Sequence, residues 1–205
     1  MQISLTNTGK RYNREWIFRH CSYVFNSGTS YAITGPNGSG KSTLLQVIAG
    51  AILHNEGTVE YHDGKRVTSN ELHYTRISIA APYLELIEEM TAGEMLQFHK
   101  AFKNLSPGMS HHDILLEAGL GKAVDKQIRY FSSGMKQRLK LALAFFSDTP
   151  VLLLDEPTTN LDADGIALYQ KLVSDCTKDK LVIVSSNVKQ EYDFCKEVIA
   201  ISNYK

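Results

Sequence analysis

Hydrophobic and polar positions read as strands over two short opening segments, 2–6 and 21–25, where β-formers are grouped. A third segment, 29–34, alternates and passes directly into a glycine-rich stretch. Apolar residues then recur at helical spacing over 42–49, with Gly50 as the stop. The run 57–67 predicts a hairpin, because Asp63-Gly64 stands between strand formers, and 76–81 predicts another strand. From 82 to 130 the texture changes to glutamate, lysine and leucine at helical spacing, punctuated by Ser106-Pro107-Gly108 and 119–121. This predicts a helical insert of two or three short helices. A longer helix follows over 132–147, with Met135, Leu139, Ala142, Leu143 and Phe146 on a period of about 3.6. The chain then reads as strand 151–155, helix 163–175, strand 180–185 and closing strand 197–201. Strands that alternate with helices and carry unbroken apolar runs imply an α/β fold with a mostly parallel, covered sheet.

Composition narrows the function classes. Of 205 residues, 43% are hydrophobic, an ordinary globular content that excludes a wholly disordered chain. The 22 basic and 22 acidic residues cancel, which argues against a whole-domain basic surface, so no nucleic acid partner is expected. The longest apolar run, 141–146, is far short of the roughly 20 residues that cross a bilayer. The opening residues predict no signal peptide. Three cysteines, Cys21, Cys176 and Cys195, are unpatterned, which suits buried thiols in a reducing compartment and no structural metal site. The histidines show no zinc-like spacing, and His111-His112 reads as a solvated loop ahead of a helix.

Two motifs carry chemistry. Gly35-Pro36-Asn37-Gly38-Ser39-Gly40-Lys41-Ser42 fits the phosphate-loop pattern in its required setting, strand before and helix after. Glycines let backbone amides converge on phosphate oxygens, and the following helix turns its positive end toward them. Lys41 is placed to reach the terminal phosphates and Ser42 to ligate Mg²⁺. Gly35, Asn37, Gly38, Ser39, Gly40, Lys41, Ser42 and Thr43 form the candidate nucleotide cradle. The loop alone leaves kinases, GTPases and ATPases open, although no Asn-Lys-x-Asp guanine reader is present. Second, the apolar strand 151–154 ends in Asp155-Glu156. A strand buried on both faces delivers its last residue to the ligand-binding edge of an open sheet. Asp155 is the candidate Mg²⁺ holder and Glu156 the candidate residue that aligns or deprotonates the attacking water.

Further along, Tyr130-Phe131-Ser132-Ser133-Gly134-Met135-Lys136-Gln137-Arg138 precedes Asp155-Glu156-Pro157-Thr158-Thr159-Asn160-Leu161-Asp162 by about 20 residues. With the phosphate loop, this resembles the ATP-binding cassette (ABC) ATPase family over essentially the whole chain. The resemblance implies one ABC ATPase domain, 1–205. It would comprise a core plus N-terminal antiparallel β-subdomain (1–81 and 131–205) and a helical subdomain (82–130). It implies ATP and Mg²⁺, and a head-to-tail homodimer or heterodimer with another ABC ATPase. In that dimer Ser132 and Gly134 of one chain close on the nucleotide of the other. It implies membrane permease subunits as partners, and a cytoplasmic chain peripheral on the inner face of the membrane. Tyr12 matches the adenine-stacking aromatic, with Trp16 as substitute, and Asp162 matches a residue that couples the two sites unless it is a helix N-cap.

The chain departs from the family at two places. Pro82 stands where the family has a glutamine that touches Mg²⁺ and water. Ser186, in Ser185-Ser186-Asn187, stands where it has a histidine on the terminal phosphate. Phe131, Ser133 and Met135 are milder changes. Binding is expected to survive these changes and hydrolysis to be slow, since one well-placed polar contact to a transition state is worth about 3 kcal/mol. The alternatives are a regulatory cassette with little hydrolysis and a soluble non-transport ABC protein. Glu85, Glu88 and Glu89 suit either a basic docking helix or a solvated face.

Overall fold

The computed structural model describes residues 1–64, 66–67 and 74–205. In chain order its first elements are β1 (Gln2–Tyr12), β2 (Glu15–Asn26), β3 (Ser30–Thr34), α1 (Lys41–Ile48), β4 (Glu56–Asp63), β5 (Arg66–Val67) and β6 (Ile77–Ala80). They are followed by α2 (Ala92–Lys100), α3 (His111–Glu117), α4 (Ser133–Phe145), β7 (Val151–Asp155), α5 (Ala163–Cys176), β8 (Leu181–Ser185), α6 (Lys189–Tyr192) and β9 (Glu197–Ala200).

Two sheets result. One has four strands in the order β2-β1-β4-β5, with antiparallel pairings throughout. The other has five in the order β6-β7-β8-β3-β9, and its β7–β8, β8–β3 and β3–β9 pairings are parallel. β1 and β2 run well beyond the segments 2–6 and 21–25 that the pattern marks. Register shifts after Leu5 and Thr8, with Asn7 and His20 at positive φ, carry the pairing through stretches where alternation breaks. The hairpin expected over 57–67 is β4–β5, and its Lys65 lies outside the described residues.

Contacts divide the chain into two compact units. The first comprises 1–79, 150–156 and 179–205. Its core joins Ile3, Phe18 and Phe25 of the antiparallel sheet to Ile33, Leu153 and Ile183 of the parallel one, all at most 1% exposed. Burial of such a side chain contributes about 1.5–3 kcal/mol. β7 and β8 are buried at every position, which is why they read as unbroken apolar runs.

The second unit comprises 80–149 and 157–178. The expected helical insert, 82–130, falls wholly within it, together with α4 and α5. The insert holds α2 and α3 plus 3-10 turns at Gly121–Ala123 and Ile128–Tyr130. Thr91–Glu94 and Ser110–Asp113 close full capping boxes on α2 and α3. The second box starts α3 at His111, so the histidine pair lies in the first helical turn and not in the loop expected. Ser132 caps α4 and Asp162 caps α5. Phe145 of α4 meets Tyr169 of α5 edge-on at 6.2 Å. Among the described residues no helix is long and apolar enough to cross a membrane. Cys21 is buried, and burial pushes its thiol up to about 12; Cys176 and Cys195 are half-buried.

Candidate active site

The parallel register sets the site. Asp155 pairs with Ser185, and Ser185 pairs with Ile33, so the carboxyl ends of β7, β8 and β3 form one row. The phosphate loop leaves β3 at that row. It ends at Gly40, which caps α1 with a φ of 99° and no side-chain bond. A Cβ there would come within 2.4 Å of the Ile17 side chain, so position 40 needs glycine for both backbone and space. Lys41 is 4% exposed, and its Nζ donates to the carbonyls of Gly35 at 2.8 Å and Pro36 at 3.2 Å. The loop holds its own cation at the head of the helix.

A cavity of about 200 Å³ opens over this loop. Asn37, Gly38, Gly40, Lys41, Ser42 and Thr43 line it, with Ile17 and Glu156 alongside. Glu156 adopts a φ of 42°, a left-handed conformation that costs a non-glycine residue about 1 kcal/mol or more. Its amide is anchored to the Ser185 carbonyl at 2.9 Å. Such strain persists where the surroundings enforce it, and here it aims a carboxylate at a phosphate-type loop. Asp155 is 1% exposed, and its Oδ1 has no hydrogen-bond partner. Burial pushes its carboxyl above the usual range, against the pull of the Ser185 and Ser42 hydroxyls and the Lys41 charge. The Ser39 hydroxyl, also buried, is likewise without a partner.

Of the residues expected at the cradle, Gly35, Ser39 and Asp155 are not in the cavity lining, and Ser186 and Tyr12 also stand apart from it. Ser186 is fully buried, and its hydroxyl bonds the buried carboxylate of Glu191 and accepts from the Val188 amide at 2.8 Å. The side chain of this turn that reaches the loop belongs to Asn187, whose Nδ2 donates to Asn37 Oδ1 at 2.7 Å. Three small polar residues in succession gave no signal of which one turns toward the loop. Tyr12 sits beside the β1–β2 turn, 48% exposed, with Lys10 Nζ 4.9 Å from its ring. Trp16 lies under two guanidinium groups, Arg19 at 4.5 Å and Arg11 at 5.5 Å. Of the two aromatics, Tyr12 keeps the more accessible ring.

The second unit builds its own concave surface, a cavity of about 530 Å³ lined in part by Ser132, Ser133, Gly134, Met135, Arg138 and Asp162. Ser132 Oγ accepts from the Met135 amide at 3.2 Å. A Cβ on Gly134 would lie 3.1 Å from the Asn160 carbonyl, so the bare glycine permits that close approach. Asp162 accepts from the Gly165 amide and from Arg138, both at 2.8 Å, and these bonds hold its carboxyl below the usual range. Buried Gln137 donates to the Pro157 carbonyl at 2.8 Å. Pro82, exposed, supplies only its carbonyl, which takes the Lys140 ammonium at 2.9 Å.

Residues 18–159 match the family model described as ABC transporter. The chain belongs to that family. This ABC ATPase is 28% identical over 190 residues to an uncharacterized ABC transporter ATP-binding protein, YybJ, of Bacillus subtilis (strain 168), which spans 92% of this chain and 87% of that one. It is 32% identical to the cytochrome c biogenesis ATP-binding export protein CcmA of Rhizobium johnstonii, over 84% of this chain and 81% of the relative. A solved dimeric bacterial ABC transporter cassette, MJ0796, superposes with a TM-score of 0.79 at 25% identity, over 97% of this chain and 93% of that one. The fold is therefore the P-loop ABC-ATPase fold, and ATP is the nucleotide its family binds. The ABC ATPase cradle also suits a divalent cation. A hard, oxygen-seeking ion answers the unpartnered Asp155 Oδ1, and the Ser42 hydroxyl lies close enough to Asp155 to lower its pKa.

Proposed function

We propose that this chain binds Mg²⁺-ATP in the loop cavity and hydrolyses it slowly as the motor subunit of a transporter. The observation that carries this reading is the cavity itself. Phosphate-loop backbone, Lys41, Ser42 and the strained Glu156 share one lining, and Oδ1 of the neighbouring Asp155 has no hydrogen-bond partner. Backbone amides at the head of α1 and the Lys41 ammonium hold the phosphates. Asp155 and Ser42 would hold Mg²⁺, which would supply charge neutralisation to the phosphates. Glu156 orients the attacking water and takes its proton. Tyr12 stacks on the adenine ring. Ser132 and Gly134 contribute the other half of the site to a second ABC ATPase chain. The membrane-embedded partner is a separate subunit, which places this chain against a membrane surface.

Slow hydrolysis follows from Pro82, whose side chain neither donates nor accepts where the family has a glutamine. The same observation favours the second reading, a cassette that binds ATP and regulates a competent mate. Turnover of the purified protein beside its Glu156→Gln variant separates them. A basal rate that falls about 10²-fold or more in the variant supports the motor reading. Equal rates, with ATP bound by both, support the regulatory one.

A further inference from the structure

The turn after β8 divides its two polar side chains between two tasks. Its backbone is fastened on both sides, with the Ser186 amide donating to Ile33 O at 3.1 Å and Ser185 O accepting the Glu156 amide at 2.9 Å. Ser186 points inward, fully buried, onto the buried carboxylate of Glu191. That pairing also draws in the Val188 amide, so the turn is closed from beneath. Asn187 is left facing outward, and its amide crosses to Asn37 of the phosphate loop at 2.7 Å. Asn37 lines the cavity with Lys41, Ser42 and Glu156.

We infer that Asn187, and not Ser186, is the residue of this turn that contacts the terminal phosphate of the nucleotide, and that the Ser186–Glu191 pair positions it. The Nδ2 group is a neutral donor held on Asn37, a residue of the cavity lining, and a phosphate oxygen is a stronger acceptor than an amide carbonyl. Asn37 and Asn187 thus form a pair of uncharged arms over the loop, one rooted in the loop and one in β8. The inference rests on the ATP-binding reading above and deepens it. Its particular consequence is selectivity: an arm that meets only the last phosphate distinguishes ATP from ADP.

Equilibrium binding of Mg²⁺-ATP and Mg²⁺-ADP to the full chain, to Asn187→Ala and to Ser186→Ala tests this, with melting temperatures recorded for each. Asn187→Ala is expected to weaken ATP about tenfold, the worth of one hydrogen bond to a charged group, with ADP within about twofold. Asn187→His, which restores a donor, is expected to recover part of the preference. Ser186→Ala is expected to lower the melting temperature and to weaken both nucleotides together. An unchanged ATP-over-ADP preference in Asn187→Ala overturns the inference, as does an ATP-selective loss in a normally melting Ser186→Ala. Failure of the unmodified protein to bind either nucleotide overturns the proposed function itself.

Discussion

The helix that opens the nucleotide cradle and the helices of the second unit begin in opposite ways. α2 and α3 start with full capping boxes, α4 with Ser132 and α5 with Asp162, so a first-turn amide of each meets a side-chain oxygen. α1 starts at a left-handed glycine with no side-chain bond. The buried side-chain atoms without partners among the described residues, on Ser39, Asp155 and Ser185, belong to the same unit as α1 and lie on its loop or at the adjacent strand ends. Polar groups in the second unit are arranged to satisfy one another. Those of the cradle leave the Ser39 and Ser185 hydroxyls and Asp155 Oδ1 without a hydrogen-bond partner. Lack of local satisfaction, more than any single residue, marks the place of chemistry.

Four measurements break or sharpen that contrast. The largest effect belongs to the cradle: Lys41→Ala is expected to lower turnover about 10²-fold or more, about 3 kcal/mol of transition-state stabilisation. A stable, active Lys41→Ala protein breaks the comparison outright. Next comes a pH effect in the second unit. Burial pushes His99, whose Nε2 lies 2.8 Å from Ser147 Oγ, down to about 4 from an ordinary 6.5, with the Lys103 charge adding to the shift. The unfolded chain takes up a proton that the folded protein refuses, so stability is full above pH 6.5 and falls as pH drops toward 4. The loss is expected to reach about 2 kcal/mol, and thermal melts of His99→Phe against pH should flatten it.

The third measurement sets the two regions side by side. Asp155→Asn removes a buried charge that folding has to desolvate, so in magnesium-free buffer the variant is expected to be about 1 kcal/mol more stable above the ordinary carboxylate pKa while losing its Mg²⁺-dependent turnover. Thr91→Ala or Ser110→Ala should do the reverse, each costing about 1 kcal/mol on unfolding with turnover kept. If Asp155→Asn melts earlier, the buried Asp155 charge is not the destabilising group described. The smallest effect is that of Lys171→Met. It breaks an exposed ion pair with Glu117 at 2.6 Å, and denaturant titration is expected to register less than about 0.5 kcal/mol.

What the sequence made legible follows the same division. β7 and β8 could be read almost to the residue, because a fully buried strand is an unbroken apolar run with a polar stop. The phosphate loop was legible because only glycines accept its backbone, as Gly40 against Ile17 shows. The antiparallel strands were half visible, since the bulges around Asn7 and His20 erase the alternation while keeping the pairing. α6 was invisible: four polar residues make one turn, too short for a period. The tasks of Ser186 and Asn187 were invisible for a different reason. They depend on Glu191, one turn of chain further on, taking one hydroxyl inward, a choice made by burial and not by residue type.

Lys140 gives the second unit a mechanical property. Its ammonium grips the carbonyls of Ala81 and Pro82, 2.9 Å from the latter, so the loop that begins the insert is fastened to the middle of α4. The first turn of that same helix carries Ser132 and Gly134 at the rim of the larger cavity. An α-helix rises about 1.5 Å per residue, so grip and tip are about 12 Å apart on one rigid rod. Loop and tip are thus two attachments of one helix, so separating them requires bending α4 or breaking the Lys140 bonds.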